Sequence, residues 1–233
     1  MKTKKKYRKL LRFLIVVTIA VITFWGYVEI VNLNSGHMTV RQKFLKAVYP
    51  VFTGFNKLFG KDSKILSNIK NVQPIESFYG LSVKLNNGKE LSFDELKGKK
   101  VLLVNTASNC GFTAQYDDLE KLYEQDKDKL TIIGFPANDF REQEKGSDAD
   151  IAQFCKSNFG ITFPLATKAS VIKGTDQQLV FQWLTDKTKN GWNNKQPSWN
   201  FSKYLINEQG VLTNYFDPAI SPLSNEVQKA IDQ

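Results

Sequence analysis

Histidine is almost absent from these 233 residues; the single copy is His37, ahead of the segments that read as folded. With no imidazole in the body of the protein, no Ser-His-Asp or Cys-His apparatus can be assembled there. His-ligated haem and the common zinc sites are excluded for the same reason. Cysteine is nearly as scarce. Cys110 and Cys155 are the only two, 45 residues apart, which is too few for a metal cluster. The residue three after Cys110 is Thr113, so there is no C-x-x-C dithiol. Neither G-x-G-x-x-G nor G-x-x-x-x-G-K-[ST] occurs, which removes the nucleotide fingerprints. Internal repeats and low-complexity tracts are also missing.

The net charge of +9 suggests nucleic acid until it is located along the chain. Residues 1–72 hold 14 Lys/Arg against 2 Asp/Glu, whereas residues 73–233 hold 18 against 21. The basicity belongs to an N-terminal appendage, and the slightly acidic body has no basic face for a polyphosphate. With 42% hydrophobic and 12% aromatic residues the chain is long and apolar enough for one well-buried domain plus that appendage.

The appendage has three parts. Residues 1–12 form a basic tail, and residues 13–31 a membrane anchor or uncleaved signal. Phe13 to Val28 is a run of 16 residues without a charge, at the lower edge for a span. A cleaved signal peptide is the alternative, but no A-x-A-like site follows; the sequence runs on as "GYVEIVNLNSG". Seven positive charges precede Phe13 and only Glu29 lies near the other end, so the basic tail is expected in the cytoplasm and the body on the exported side. Residues 32–72 form a basic linker. Within it, Phe44, Leu45, Val48 and Tyr49, then Phe52, Phe55, Leu58 and Phe59, recur at helical spacing with Pro50 as an expected kink. That helix either lies on the membrane over about residues 40–60 or packs on the body.

Residues 73–233 form the folded domain. "SFYGLSVKLNNGKELSF" reads as a hairpin around Asn86-Asn87-Gly88. "KKVLLVNTAS" and "KLTIIGFPA" are continuous apolar runs suited to strands buried on both faces. "TAQYDDLEKLYEQDKD" has the period of an amphipathic helix. "SDADIAQFCKSNFG" is a second helix, with a capping box from Ser147 to Asp150 and a stop at Gly160. "ITFPLATK" reads as a short strand broken by proline. "QQLVFQWLTDKTK" is a helix, "SKYLINEQGVLTNYF" a hairpin and "SPLSNEVQKAID" a closing helix. The order β-α-β-α-β-α-β-β-α predicts an α/β fold of thioredoxin-like type, with a mixed central sheet flanked by helices.

Cys110 falls just after a buried strand and just before a helix. Free N–H groups at a helix start lower a thiol pKa, so a reactive thiol and a small buried filler are both open on position alone. Cys155, on the second predicted helix, is either a core residue or half of a disulfide.

Three motifs in order carry a resemblance. "VNTASNCGFT" resembles the strand–turn–helix motif VNxASxCGxT of the glutathione peroxidases, with cysteine where some members have selenocysteine. "GFPANDFREQEKGS" is similar to their GFPCNQFGxQEPGS, and "PSWNFSKYLIN" to their xWNFxKFLx. The resemblance implies a thioredoxin fold and reduction of hydrogen peroxide and organic, including lipid, hydroperoxides. It implies that Cys110 is the peroxidatic thiolate and that Gln143, Trp199 and Asn200 are its tetrad partners, whose N–H groups are donors. Cys155 takes the place of the resolving cysteine of members recycled by a thioredoxin-like protein. Glutathione as reductant with Cys155 inert is the alternative, and a non-enzymatic redox-sensing module a second one. No bound cofactor or metal is implied, only a thiol co-substrate. The chain departs from the family at Ala137, Asp139, Arg141 and Lys145, which leaves the backbone around Gln143 open. The short segment before Trp199 lacks the oligomerisation insert of tetrameric members, so the domain is expected to be monomeric.

Overall fold

The computed structural model describes residues 2–33, 35–36, 38–59 and 64–233, with the backbone alone for residues 2–5, 52–53 and 55–59. His37 lies outside them. Helix α1 (Lys2–Val31) contains the apolar segment Lys6–Val31. It is long and apolar enough to cross a membrane, a test that a signal sequence also passes. Helix α2 (Val40–Phe59) folds back against it with Pro50 inside. Phe24 meets Phe44 edge-on at 5.8 Å, and Lys43 pairs with Glu29 at 2.9 Å.

Strand β1 (Ile65–Ser67) comes next, within the stretch expected as linker, and joins the sheet at its edge beside the last strand. Its three residues show no apolar alternation beyond Ile65 and Leu66, so no periodic signal marks it. The hairpin of β2 (Ser82–Lys84) and β3 (Glu90–Ser92) forms a separate two-stranded sheet, turning where Asn86-Asn87-Gly88 was expected to turn it. Gly88 takes φ +85°, open to glycine at no steric cost.

Strand β4 (Lys100–Thr106) is buried at every position. Its side chains alternate between two cores. Leu102 and Val104 enter one, Val101 and Leu103 the other. Helix α3 (Gln115–Asp126) crosses over to β5 (Leu130–Pro136), which pairs parallel to β4 from Lys100↔Leu130 to Thr106↔Pro136. Helix α4 (Asp148–Phe159) starts at the Ser147–Asp150 capping box and ends at Gly160, φ +65°, as its sequence predicted.

The short helix α5 (Leu179–Leu184) covers the second core, and the single turn α6 (Lys187–Asn190) follows it. The hairpin of β6 (Lys203–Ile206) and β7 (Leu212–Phe216) runs antiparallel beside β4, and helix α7 (Asn225–Asp232) closes the domain. The main sheet has the order β1-β7-β6-β4-β5 with only the β4–β5 pair parallel, the mixed sheet expected of the thioredoxin-like class.

The stretch "ITFPLATK" is not a strand. It makes only isolated bridges, Gly134↔Leu165 and Leu85↔Ala166. Pro164 has no N–H to extend a ladder, so the segment meets β5 only around Gly134, where Gly134 N donates to Pro164 O at 2.9 Å and Ala166 N to Gly134 O at 2.8 Å.

Candidate active site

All three sequence motifs end at one place, the C-terminal edge of β4. The turn after β4 carries Cys110, the loop after β5 carries Gln143, and the turn before β6 carries Trp199 and Asn200. Asn105, the penultimate residue of β4, ties them together. Its side chain donates to Trp199 O at 3.1 Å and accepts from Ser202 N at 3.0 Å, and its carbonyl accepts from Phe201 N at 2.6 Å. Phe201 takes φ +69°, a left-handed conformation costly for an aromatic residue. The fully buried Lys203 holds it there, donating to the carbonyls of Phe201 (2.8 Å), Pro218 (3.3 Å) and Ile220 (2.6 Å). Three carbonyls satisfy the three donors of an ammonium. Burial lowers the pKa of Lys203 to about 7.

Cys110 is 1% exposed. Its turn is set by Thr113, whose Oγ1 accepts from Cys110 N at 3.0 Å and donates to Ala107 O at 2.8 Å. The sulfur accepts from Phe112 N at 3.4 Å. Burial raises the thiol pKa, while the Phe112 N–H, the Trp199 indole, the Asn200 amide and the Gly111 N–H each pull it down. The net direction is upward. The helix-start argument on its own pointed the other way, but α3 begins only at Gln115, and desolvation outweighs the donors.

Gln143 reaches the site through Asn200. Its Oε1 accepts from Asn200 Nδ2 at 3.0 Å, and its backbone carbonyl accepts from Asn109 N at 3.1 Å. Asn200 Oδ1 is buried and without a partner. Next to Gln143, the buried Glu144 accepts from Ser108 N at 2.8 Å and Ser108 Oγ at 3.1 Å. Burial raises Glu144 to about 7 against the pull of those two bonds. A cleft of about 420 Å³ opens beside these residues, lined by Ser108, Asn109, Gln143 and Phe154 among others.

Cys155 sits on α4, also 1% exposed and in the same apolar cluster as Cys110; both thiols are free. Burial pushes the Cys155 thiol up to about 12, the Tyr116 hydroxyl draws it down and the Glu144 charge pushes it further up. Cys110, Gln143, Trp199 and Asn200 therefore converge, while Cys155 stands apart from the cluster of donors. Asn105, Thr113, Glu144 and Lys203 escaped the sequence reading. Each lies within or beside a motif, but only the fold reveals what it holds.

Residues 78–185 match the model of the glutathione peroxidase family. A glutathione peroxidase homolog, BsaA, from Staphylococcus epidermidis is 42% identical over 160 residues, which is 67% of this chain and all of that protein. The chain belongs to the glutathione peroxidase family. Glutathione peroxidase-like peroxiredoxin 2 of Saccharomyces cerevisiae is 41% identical over 67% of this chain and 98% of its own length. Among solved structures, Trgpx in its apo form superposes with a TM-score of 0.52 at 32% identity, over 68% of this chain and 97% of that one.

Two of the four departures from the family motifs, Arg141 and Asp139, have physical accounts. Arg141 stands where the family motif has glycine and takes φ +53°, followed by Glu142 at +51°. That backbone suits glycine better. The arginine recovers part of the strain by laying its guanidinium over the Trp199 ring at 5.6 Å. Asp139, in place of Gln, accepts from Ser170 Oγ and Val171 N, both at 2.8 Å. The loop around Gln143 is fixed by these bonds and by Glu144 N donating to Asn138 Oδ1 at 2.9 Å. Ala137, where the motif has cysteine, is fully buried.

Proposed function

We propose that this chain is a cysteine-based thiol peroxidase that reduces hydrogen peroxide and organic hydroperoxides, lipid hydroperoxides among them. The observation that carries the reading is the setting of Cys110, a buried sulfur with the Phe112 and Gly111 N–H groups, the Trp199 indole and the Asn200 amide around it. Such donors favour the thiolate over the thiol and stabilise negative charge as it develops on a leaving oxygen. Cys110 sulfur attacks the peroxide; an S–O bond forms, the O–O bond breaks, and the departing alkoxide or hydroxide takes the thiol proton. The products are a Cys110 sulfenic acid and an alcohol or water. Gln143 orients Asn200 through its 3.0 Å hydrogen bond.

Cys155 then attacks the sulfenic sulfur. The S–S bond forms, the S–O bond breaks, and hydroxide leaves with the Cys155 proton as water. A thioredoxin-like dithiol reduces the disulfide and is itself oxidised. Curated relatives named glutathione peroxidase-like peroxiredoxins in Saccharomyces cerevisiae and Schizosaccharomyces pombe support this form of recycling. In stopped-flow measurements Cys110→Ser is expected to abolish peroxide turnover, and substantial residual activity would overturn the reading.

One observation favours a second reductant. Cys155 is buried in a wound helix with its pKa pushed up to about 12, poor conditions for a resolving thiol. With glutathione as donor, Cys155 is a packing residue. Mass spectrometry after one equivalent of peroxide separates the two: a Cys110–Cys155 disulfide supports the first, a Cys110–glutathione adduct the second.

Helix α1 acts in this proposal as an uncleaved anchor, supported by its apolar length and the basic tail before it. The domain, residues 73–233 together with the edge strand β1, then lies on the exported side. Both native thiols are buried, so a Lys89→Cys variant reports sidedness alone. Labelling by a membrane-impermeant reagent in whole cells is expected; labelling only after lysis places the domain in the cytoplasm.

A further inference from the structure

Helix α2 lies outside the residues that match the family, yet its first half touches both cysteine-bearing segments. Gln42 Nε2 donates to Ser108 O at 2.9 Å, and Arg41 Nη1 to Asn109 Oδ1 at 3.0 Å, on the turn that carries Cys110. One turn further along α2, the Lys46 side chain is only 13% exposed. Its Nζ donates to Asn158 O at 3.3 Å, pairs with Asp117 at 3.2 Å and lies 4.6 Å over the Phe159 ring. Asn158 and Phe159 are the last two residues of α4, one turn beyond Cys155. Carbonyls there have no helical donor, and a cation suits the negative end of the helix dipole.

We propose that Lys46 is a positioning residue that clasps the last turn of α4 and so sets how fast Cys155 is released to the Cys110 sulfenic acid. This rests on the reading of Cys155 as the resolving thiol. A thiol 1% exposed inside a helix meets a partner on another loop only if the helix opens locally. Two of the restraints on that opening are internal to the α4 end: Gly160 N–H to Lys156 O at 3.0 Å, and Asn158 Nδ2 to Phe154 O at 2.9 Å. The Lys46 contacts are supplied from α2.

Helix α2 is in turn tied to α1. Asn32 Nδ2 donates to Lys43 O at 3.1 Å, Tyr27 OH to Ala47 O at 3.3 Å, and Lys43 pairs with Glu29 at 2.9 Å. The clasp therefore links the apolar N-terminal helix to the resolving step. The chemistry it gates is unchanged: S–S forms, S–O breaks, and water leaves with the Cys155 proton.

The test uses the full chain, reduced, in detergent micelles, with one equivalent of hydrogen peroxide and alkylating quenches read by mass spectrometry. Lys46→Met keeps an apolar stem of similar length and removes the cation. Its sulfenic acid is expected to appear at the wild-type rate and its Cys110–Cys155 disulfide about fivefold faster, the rate equivalent of one lost hydrogen bond. Backbone amides of residues 156–161 should exchange hydrogen faster, and Lys46→Arg should restore both rates. Unchanged or slower disulfide formation in Lys46→Met, with unchanged exchange, overturns the clasp. If the wild type forms no Cys110–Cys155 disulfide while exchange still rises in Lys46→Met, the resolving role of Cys155 fails, and the rate assignment with it. The exchange readout distinguishes that failure from failure of the contact itself.

Discussion

Cys110 and Cys155 share one apolar cluster, each 1% exposed, and burial raises the pKa of both. Their neighbours separate them. Around Cys110 are groups that each lower its pKa by donating: two backbone N–H groups, an indole and an amide NH2. Around Cys155 are the Tyr116 hydroxyl, which draws its pKa down, and the Glu144 charge, which pushes it up. The local backbone explains the contrast. Cys110 lies on a turn whose N–H groups are not used by a helix, so they can address the sulfur; Cys155 lies mid-helix, where its neighbours' amides are already bonded. Burial alone therefore does not mark a reactive thiol. The unspent donors beside it do.

The contrast breaks most completely at the sulfur itself. Cys110→Ser is expected to lose peroxide turnover altogether, because a hydroxyl in this setting is neither ionised nor a soft nucleophile; the assay is steady-state peroxide consumption. Cys155→Ser sharpens it from the other side. Its first oxidation should run at the wild-type rate in a single-turnover experiment, while cycling with a thioredoxin-like donor stops. A slowed first oxidation would mean that Cys155 also shapes the Cys110 site. Asn200→Ala removes one donor and the 3.0 Å link to Gln143. The second-order rate constant with hydrogen peroxide should fall about a hundredfold, the usual loss for one preorganised donor. A fall of less than about threefold would reduce Asn200 to a packing residue, since a donor that matters at the transition state costs more than that.

Much of this was legible in the chain. The buried strands β4 and β5 announce themselves as apolar runs, and the α4 cap and stop follow from Ser147, Asp150 and Gly160. Edge strand β1 was not legible, because three half-exposed residues carry no period and pair only through contacts with β7, remote in sequence. Cys110, Gln143, Trp199 and Asn200 were named from motifs, and the fold brings them together. Their supports were not: Asn105 and Lys203 act by bonding carbonyls brought near by the β6–β7 hairpin, and Lys203 in a sequence reads as a surface charge. The direction of the Cys110 shift was hidden too, because position relative to a helix is sequence-local whereas desolvation is set by the whole fold.

Glu144 bears on both thiols, and removing its charge tests how far their difference depends on it. Its carboxylate holds Ser108, two residues before Cys110, and pushes the Cys155 thiol up. The folded-state pKa, about 7, lies above the ordinary value of 4.5. The fold thus favours protonated Glu144, and this group's contribution to stability falls as pH rises from the unfolded value through the folded one, then levels off. Glu144→Gln keeps an oxygen acceptor for the Ser108 N–H and removes the titration. The stability difference between variant and wild type should therefore shift in the variant's favour by about 3 kcal/mol between pH of about 4 and about 8. Denaturant titration of the full chain in micelles at several pH values measures it, and parallel curves would show that Glu144 does not titrate in this range. The same variant should make Cys155 easier to alkylate when α4 opens, while the first oxidation of Cys110 changes by less than about tenfold, since none of its donors is removed. A larger loss at Cys110 would mean that Glu144 holds the peroxidatic turn by charge and not only by accepting two hydrogen bonds from Ser108.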